Sequence, residues 1–234
     1  MSIQKPLVLI TGSEGRIGKA IASALGDSYT IVGFERKCDT DSDCITVDIS
    51  SDEAMSSGCE LLRQRYGQRI ASVIHLAAFY DFSDKPNPLY EEVNVQGTRR
   101  LLKALQAFDV EQFIYASTML VHAPTQPGLP IKEEDALEPK WPYPKSKVAA
   151  ENEVRAHHGH SSFVIFRLGG VYTDWSEVPS LSTQIQRIYE RQLQSHVFPG
   201  DPSHGQSFVH MDDVARAFQQ AVELRSQLPR EATI

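Results

Sequence analysis

The chain has 234 residues and a formal net charge of −7, with 41% hydrophobic and 23% charged residues. These proportions are ordinary for a globular protein, and the length predicts one domain with a small addition. The negative charge argues against a nucleic-acid-binding protein, which would present a basic surface, and no apolar run in the sequence is long enough to cross a membrane.

Short apolar strands alternate with helical segments along the chain. The sequence predicts strands at 7–12, 29–35, 44–49, 71–78, 111–118 and 162–168. It predicts helices at 16–26, from a capping box of Ser50 and Glu53 to Tyr66, at 90–107 and at 143–158. Strands without polar alternation, separated by helices, indicate a parallel sheet covered on both faces. The predicted fold is therefore α/β, with a doubly wound parallel sheet of the Rossmann type.

A glycine-rich segment, TGSEGRIG, joins the first predicted strand to the first predicted helix. It places Gly12, Gly15 and Gly18 in the turn between them. Glycines in this context allow a tight turn and let backbone N–H groups approach a pyrophosphate at the helix N-terminus. The segment therefore predicts a dinucleotide-binding loop.

The end of the second strand indicates which dinucleotide binds. Glu35 stands there, and a carboxylate at this place can hold both hydroxyls of an adenosine ribose while repelling a 2′-phosphate. NAD is therefore the predicted cofactor. Arg16, Arg36 and Lys37 leave NADP as the alternative, because each of them could meet a 2′-phosphate.

The stretch WPYPKSK contains a candidate acid/base. Pro144 suits the first position of a helix, so Tyr143 and Lys147 would share one face at its N-terminal end. A free tyrosine has a pKa of about 10, and a nearby ammonium favours the phenolate. Tyr143 could then exchange a proton with a substrate hydroxyl during hydride transfer. An incidental YxxxK at an ordinary helix start is the alternative.

The chain resembles the extended branch of the short-chain dehydrogenase/reductase superfamily, and specifically the NAD-dependent epimerase/dehydratase family. The resemblance runs from about Leu7 to about Gln220 and rests on TGSEGRIG, VDIS, HLAA, NVQGT, YAST, YPKSK, FRLGGVY and FVHMDDVARA, in the family's order. It implies an NAD(P)-dependent oxidoreductase or epimerase that acts on a secondary alcohol or ketone, such as a sugar, a nucleotide sugar or another small hydroxy compound. A catalytically silent NAD(P)-sensing module of the same fold is the alternative.

The resemblance also implies roles for the catalytic residues. Tyr143 would be the acid/base, and Lys147 would lower its pKa and bind the nicotinamide ribose. Thr118, at the end of the fifth strand, would orient the substrate oxygen, and Ser117 is the less favoured hydroxyl.

The implied cofactor contacts form a larger set: Gly12, Gly15, Arg16, Ile17, Gly18, Glu35, Asp48, Ile49, Leu76, Ala77, Ala78, Asn94, Tyr143 and Lys147. In this set Asp48 and Ile49 would flank the adenine, and 76–78 would pass along the phosphates and ribose. Asn94 would lie in the helix behind the site. No metal ion is expected.

Departures from the family pattern leave the substrate class open. The family usually has a proline, an asparagine and a glycine where this chain has Leu168, Gly170 and Thr173. The asparagine often contacts the phosphate of a sugar nucleotide. A less polar substrate is one alternative, with an aromatic pocket made by Phe79, Tyr80, Phe82 and Trp175. Ordinary packing of these side chains is the other.

Residues 1–168 are predicted to form the dinucleotide-binding core with the catalytic helix. Residues 169–234 are predicted to form a partial substrate-binding region and one returning core helix. The chain is expected to be shorter than the natural protein, because Ala232–Ile234 begins an apolar strand with nothing after it. A short family member with a frayed end is the alternative.

A homodimer is expected. The helices around 90–107 and 144–157 carry Leu101, Leu105, Val148 and Val154, and in the family this helix pair often forms a four-helix interface. The expected partners are thus a second copy and a small-molecule substrate, with no nucleic acid and no membrane.

Cysteine and histidine residues suggest no further chemistry. The three cysteines, Cys38, Cys44 and Cys59, are predicted to be free thiols in a reducing compartment, which makes the cytoplasm the expected location. The HHGH segment at 157–160 is predicted to be a polar helix end, where imidazolium suits the helix dipole, rather than a metal site.

Overall fold

The computed structural model describes residues 5–38, 43–81, 85–126, 128–175, 179–196, 205 and 207–234. The main sheet contains β1 (Leu7–Thr11), β2 (Thr30–Glu35), β3 (Cys44–Thr46), β4 (Arg69–His75), β5 (Asp109–Thr118), β6 (Ser162–Leu168) and β9 (Glu231–Thr233). These strands are parallel, and their order across the sheet is β3-β2-β1-β4-β5-β6-β9. A separate parallel pair is formed by β7 (Gly170–Tyr172) and β8 (Phe208–His210).

The helices follow the strands in alternation. They are α1 (Arg16–Leu25), α2 (Asp52–Tyr66), a π-helix (Tyr90–Gly97) that continues into α3 (Thr98–Leu105), α4 (Pro142–His157), α5 (Pro179–Tyr189) and α6 (Met211–Glu223). Among the described residues, no helix is both long enough and apolar enough to cross a membrane.

Two core clusters lie on opposite faces of the sheet. Leu9 of β1 packs in one cluster with Leu62 of α2 and Leu101 of α3. Its neighbour Ile10 belongs to the other, with helix α1 and with Phe218 of α6. Successive side chains of a strand point to opposite faces, so a strand that is apolar throughout needs helices on both sides. The predicted doubly wound Rossmann fold is confirmed.

The strand order reverses between β1 and β4, and the loops that follow these two strands touch. The Leu76 N–H donates to the Thr11 carbonyl over 3.1 Å. A Cβ added to Gly12 would lie 3.0 Å from the backbone nitrogen of Ala77. In an open α/β sheet, ligands bind at the carboxyl ends of the strands where the order reverses. The crevice between these two loops is therefore the candidate ligand site.

Several predicted element boundaries were wrong by a few residues. Ser51 caps α2, because its Oγ accepts from the Ala54 N–H at 3.2 Å. The predicted cap, Ser50, instead donates to Asp48. The predicted helix at 90–107 is π-helical in its first half, and α4 begins at Pro142 rather than one or two residues later.

The strand predicted at the C-terminal end is confirmed. It is β9, which pairs in parallel with β6 at the edge of the main sheet. The Ile234 N–H donates to the Ile165 carbonyl at 2.8 Å, and the Arg167 N–H donates to the Ile234 carbonyl at 2.7 Å. The last residues of the chain are therefore bonded along their backbone to β6.

The prediction of three free cysteines was wrong. Cys38 and Cys44 form a disulfide, whereas Cys59 is a buried free thiol. Cys38 follows β2 and Cys44 is the first residue of β3, and their Cα atoms are 5.7 Å apart. The cytoplasmic location expected from unpaired cysteines loses that support, because disulfides are rare in reducing compartments.

Three of the four side chains assigned to a dimer interface lie in the core of the single chain. Leu101 and Val154 are fully buried, and Leu105 is 5% exposed. All three belong to the cluster beneath α2, α3 and α4. Only Val148 of this set is partly exposed and free to contribute to a contact between copies.

Candidate active site

The loop between β1 and α1 is a tight glycine turn. Gly12 has a φ of +78°, in the left-handed region that favours glycine. Gly15 caps α1 and donates its N–H to the Gly12 carbonyl over 3.2 Å, and Arg16 and Ile17 are the first residues of the helix. A Cβ at Gly18 would lie 2.3 Å from the same carbonyl oxygen. A helix N-terminus after such a turn can bind phosphate oxygens.

The carboxylate of Glu35 lies beside this turn, at the end of β2. Its Oε1 accepts from the Glu14 N–H at 2.7 Å and from Ser13 Oγ at 3.3 Å. Two groups of the glycine turn therefore fix the carboxylate next to the predicted pyrophosphate loop, as a ribose site requires. Arg36 and Lys37, which follow Glu35, are exposed.

The two residues predicted at the adenine differ in their surroundings. Asp48 accepts from Ser50 Oγ at 2.6 Å and from the Ser50 N–H at 2.9 Å, and these bonds hold the pKa of Asp48 below its usual value. Ile49 is 5% exposed, and a Cβ added to Gly97 would lie 3.0 Å from its Cδ1. Asp48 therefore presents a charged group, whereas the Ile49 side chain packs against the π-helix.

Asn94 of the π-helix joins the segment after β4 to α4. Its Oδ1 accepts from the Phe79 N–H at 2.6 Å, and its Nδ2 donates to the Phe79 carbonyl at 3.0 Å. The same Nδ2 donates to Ser146 Oγ at 2.8 Å, and Ser146 Oγ donates to the Tyr143 carbonyl at 2.7 Å. Asn94 is 1% exposed, so these hydrogen bonds are internal. They fix the segment after β4 against the start of α4.

His75, the last residue of β4, connects the two loops at the crevice. Thr98 Oγ1 donates to the Asn94 carbonyl, so the proton of His75 lies on Nε2, which donates to Thr98 Oγ1 at 2.9 Å. His75 Nδ1 then accepts from Thr11 Oγ1 at 2.6 Å, and the Ala77 N–H donates to that oxygen at 3.2 Å. Burial lowers the pKa of His75 to about 3, so the imidazole is neutral. A neutral internal histidine thus fixes the backbone that is predicted to run along the cofactor.

Tyr143 is the second residue of α4 and lies in an aromatic cluster. Its ring centroid is 4.6 Å from that of Tyr80 and 6.4 Å from that of Tyr90, and Tyr90 meets Phe79 at 4.9 Å. Burial, followed by the two neighbouring tyrosines, raises the pKa of Tyr143 above its usual value. The sequence predicted a lowered pKa. For the protein without a bound cofactor that expectation is wrong, because burial among aromatic rings disfavours the phenolate form of Tyr143.

Lys147 is one helical turn further along α4 and is 3% exposed. Its Nζ lies 4.4 Å from the ring centroid of Tyr115, within cation–π distance. Burial lowers the pKa of Lys147 to about 7, while the negative charge of Glu151 acts in the opposite direction. Lys147 therefore changes its charge close to neutral pH.

The two hydroxyls at the end of β5 have different partners. Ser117 Oγ donates to Glu151 Oε1 at 2.5 Å. Thr118 Oγ1 accepts from the Leu120 N–H at 3.3 Å, which leaves its own proton to be donated elsewhere. Thr118 is therefore better suited than Ser117 to donate to a substrate oxygen, and its catalytic role stays a prediction.

Comparison with known proteins decides the family. The sequence model of the NAD dependent epimerase/dehydratase family matches residues 8–233. The chain belongs to this family. It is 31% identical over 174 residues to the UDP-glucose 4-epimerase of Vibrio cholerae. The aligned region covers 70% of this chain and 52% of that enzyme.

Solved structures of related proteins share the fold. One is a short-chain dehydrogenase/reductase superfamily protein from Agrobacterium tumefaciens with bound NAD; it has a TM-score of 0.69 and 27% identity, over 92% of this chain and 73% of that one. Another is MoeE5 in complex with UDP-glucose and NAD, with a TM-score of 0.74 and 28% identity, over 97% of this chain and 74% of that one. The chain thus spans about half of the Vibrio cholerae enzyme and about three quarters of these two proteins.

Sequence reasoning missed several residues that shape the site of this family member. They are His75, Tyr90, Tyr115, Glu151 and Arg167. Glu151 could have been found, because it follows Lys147 by four residues and so lies on the same helix face. Tyr90 and Tyr115 could not, because an apolar or aromatic residue in a predicted helix or strand is expected in any core.

The aromatic side chains considered either for a pocket or for ordinary packing are only partly brought together. Phe79 and Tyr80 join the cluster at Tyr143, but Trp175 is 88% exposed. Phe82 lies outside the described residues.

The histidines of HHGH lie at the end of α4, where His157 is its last residue. The described part of the chain contains no group of three or more side chains that could hold a metal ion.

Proposed function

We propose that the protein is an NAD-dependent oxidoreductase or epimerase in which Tyr143 is the acid/base for a secondary alcohol or ketone. The observation that carries this proposal is the placement of Tyr143 and Lys147 at the start of α4. Hydrogen bonds through Asn94 and Ser146 connect this part of α4 to the segment after β4. A general acid or base must reach the substrate where the hydride leaves or arrives.

The residues of the crevice fit NAD. The glycine turn would hold the pyrophosphate at the N-terminus of α1, and Glu35 would hold the adenosine ribose. Lys147 would bind the nicotinamide ribose. When bound, NAD supplies the hydride chemistry, and the protein supplies position and charge.

The proton chemistry then falls to three side chains. Tyr143 would take the hydroxyl proton of an alcohol during oxidation and return it during reduction. The charged form of Lys147 would lower the pKa of Tyr143, against the raising effect of burial, and a cationic nicotinamide ring would act in the same direction. Thr118 would donate a hydrogen bond to the substrate oxygen and so orient it.

A sugar nucleotide is the substrate class supported by the relatives, since one is a UDP-glucose 4-epimerase and another binds UDP-glucose. Leu168, Gly170 and Thr173 depart from the family pattern, and Tyr80 is 48% exposed beside Tyr143. A less polar hydroxy compound is therefore the second candidate. Residues 169–234, which contain β7, β8 and α5, are proposed to form part of the substrate side of the site.

A substrate panel tests the reaction class. Alcohols, free sugars and nucleotide sugars are incubated with NAD or NADP, and absorbance of the reduced cofactor is followed together with chromatography of the sugars. Net epimerisation leaves absorbance unchanged and interconverts sugars, whereas net oxidation raises absorbance. Tight NAD binding with no turnover of any compound would favour the silent sensing module instead.

Cofactor preference is expected to depend on Glu35. The wild-type protein should bind NAD more tightly than NADP, because the carboxylate repels a 2′-phosphate. Glu35→Ala should bring the two dissociation constants closer together in calorimetric titrations. Glu53→Ala, which removes an exposed carboxylate from the first turn of α2, is the control and should leave both unchanged. NADP binding ten times tighter than NAD to the wild type would contradict the assignment.

We also propose a homodimer formed through the π-helix, α3 and α4. Val93 and Val148 are partly exposed on these elements, and the interface depends on such side chains because Leu101 and Leu105 are buried within the chain. Sedimentation velocity at micromolar concentration should show a species of twice the 26.1 kDa chain mass. A single species at the chain mass would refute it, and Val148→Glu should shift the dimer toward that mass.

A further inference from the structure

We propose that Glu151 is a positioning residue that favours the charged form of Lys147 beside Tyr143. Tyr143, Lys147 and Glu151 recur at intervals of four along α4, so they occupy one face of the helix. Glu151 is 1% exposed and Lys147 is 3% exposed. The catalytic meaning of this inference rests on the proposed function. The effect of Glu151 on the charge of Lys147 does not depend on that function.

The carboxylate of Glu151 is held in place from two neighbouring strands. Ser117 Oγ, on β5, donates to its Oε1 at 2.5 Å. Arg167, on β6, donates from Nε to Oε1 at 3.1 Å and from Nη2 to Oε2 at 2.7 Å. A guanidinium fork on a carboxylate fixes the position of the carboxylate through two strong bonds. On the outer side Arg155 approaches it at 3.6 Å.

Arg167 is itself held by groups outside α4. Its Nη1 donates to the Glu133 carbonyl at 2.8 Å and lies 3.1 Å from His122 Nε2, which must accept because a guanidinium has no lone pair to offer. Burial and Arg167 lower the pKa of His122, in keeping with a neutral, accepting imidazole. The carboxylate therefore belongs to an internal network that ends one helical turn from Lys147.

Four titratable groups face Lys147 from the elements packed around it. They are His75 of β4, Tyr115 of β5, and Tyr143 and Glu151 of α4. Burial lowers the pKa of His75 and raises the pKa values of Tyr115 and Tyr143, so these three are neutral near pH 7. Of the four, Glu151 is the group that stabilises an ammonium by charge.

The alternative is a purely structural role, in which the Glu151–Arg167 ion pair only fixes α4 on the sheet. Buried ion pairs are weak evidence for a role in stability, since apolar residues of similar size often replace them without loss. If the carboxylate of Glu151 served only to hold Arg167, neutralising Glu151 would leave the charge of Lys147 unchanged. Neutralising a positioning carboxylate would not.

The test follows the titration of Lys147 in the protein without cofactor. Protein labelled with [ε-13C]lysine is titrated by NMR, and the Lys147 resonance is assigned by its loss in Lys147→Arg. In the wild type the midpoint is expected at about 7. Glu151→Gln should lower it by about one unit or more, because a neighbouring opposite charge shifts a pKa by about that amount. At pH 7 the charged fraction would then fall from about a half to about a tenth.

Glu153→Gln is the matched control. Glu153 lies on the same helix, and its carboxylate also accepts from an arginine fork, with 2.6 and 2.7 Å bonds from Arg99. Its removal should leave the Lys147 midpoint in place, because Glu153 lies two residues from Glu151 and so points to another side of α4. An equal shift in both variants, or no shift in Glu151→Gln, would overturn the proposal.

A second variant covers the case in which Glu151→Gln leaves Arg167 unpaired and the protein unfolds. Glu151→Gln combined with Arg167→Met removes both buried charges, and the midpoint should still fall. If neither variant folds, the structural role is supported and the proposal is rejected. If the midpoint falls but NAD affinity at pH 8 is unchanged, the positioning role stands and the assignment of Lys147 to the nicotinamide ribose fails instead.

Discussion

Tyr143→Phe is expected to reduce turnover about 100-fold or more, since a general acid or base typically contributes at least that factor. The substitution removes only the hydroxyl and keeps the ring that packs on Tyr80 at 4.6 Å. Affinity for NAD should therefore remain close to that of the wild type. Steady-state kinetics on the best substrate, with calorimetry for NAD, measure the two quantities separately.

Lys147→Ala should impair both quantities, because it removes an ammonium that is proposed both to lower the pKa of Tyr143 and to bind the cofactor. Tyr66→Phe, at the end of α2, is the control for the loss of a phenol elsewhere and should behave as the wild type. If Tyr143→Phe kept more than about a tenth of the activity, well above what loss of an acid/base allows, Tyr143 would not have this role.

Gly18→Ala is expected to disrupt the glycine turn itself. The new Cβ would lie 2.3 Å from the Gly12 carbonyl oxygen and 2.7 Å from Cα and O of Ser13. These are backbone atoms, so the turn has to move rather than a side chain. Overpacking of this kind costs about 1–3 kcal/mol, and NAD binding should fall strongly because the N–H groups that would hold the pyrophosphate are displaced.

Thermal unfolding and calorimetry check this expectation. At this chain length each kcal/mol lowers the Tm by about 2–4 °C, so a loss of several degrees is expected. Gly26→Ala, at the other end of α1, is the control: its φ of −60° is helical, and its Cβ would come no closer than 3.3 Å to another heavy atom. Normal NAD affinity in Gly18→Ala would contradict the assignment of this turn to the cofactor.

Local pattern was sufficient for the framework of the fold. Each predicted strand is present, because a continuous apolar run such as that of residues 7–10 has to be buried on both faces. The glycine turn and Glu35 were also predictable, since their spacing is set by one strand, one turn and one helix. Errors appeared where adjacent residues compete, as Ser50 and Ser51 do for the cap of α2.

Pairing and packing between separate elements were beyond local pattern. Cys38 and Cys44 are six residues apart, yet their spacing alone did not predict that they form a disulfide. Whether Leu101 faces a partner or the core depends on how α3 lies on the sheet. An apolar stripe states that a face is buried, but it does not state against what.

The sequence by itself determined the doubly wound fold, the glycine turn after β1 and the presence of Tyr143 and Lys147 one helical turn apart, because these follow from backbone periodicity and short spacing. Only the tertiary structure decided the electrostatic state of that pair. The rings of Tyr80 and Tyr90 and the burial around them raise the pKa of Tyr143, and Glu151 opposes the effect of burial on Lys147. A pKa depends on solvent access and on every nearby charge, and these are set by segments far apart in the chain that the fold brings together.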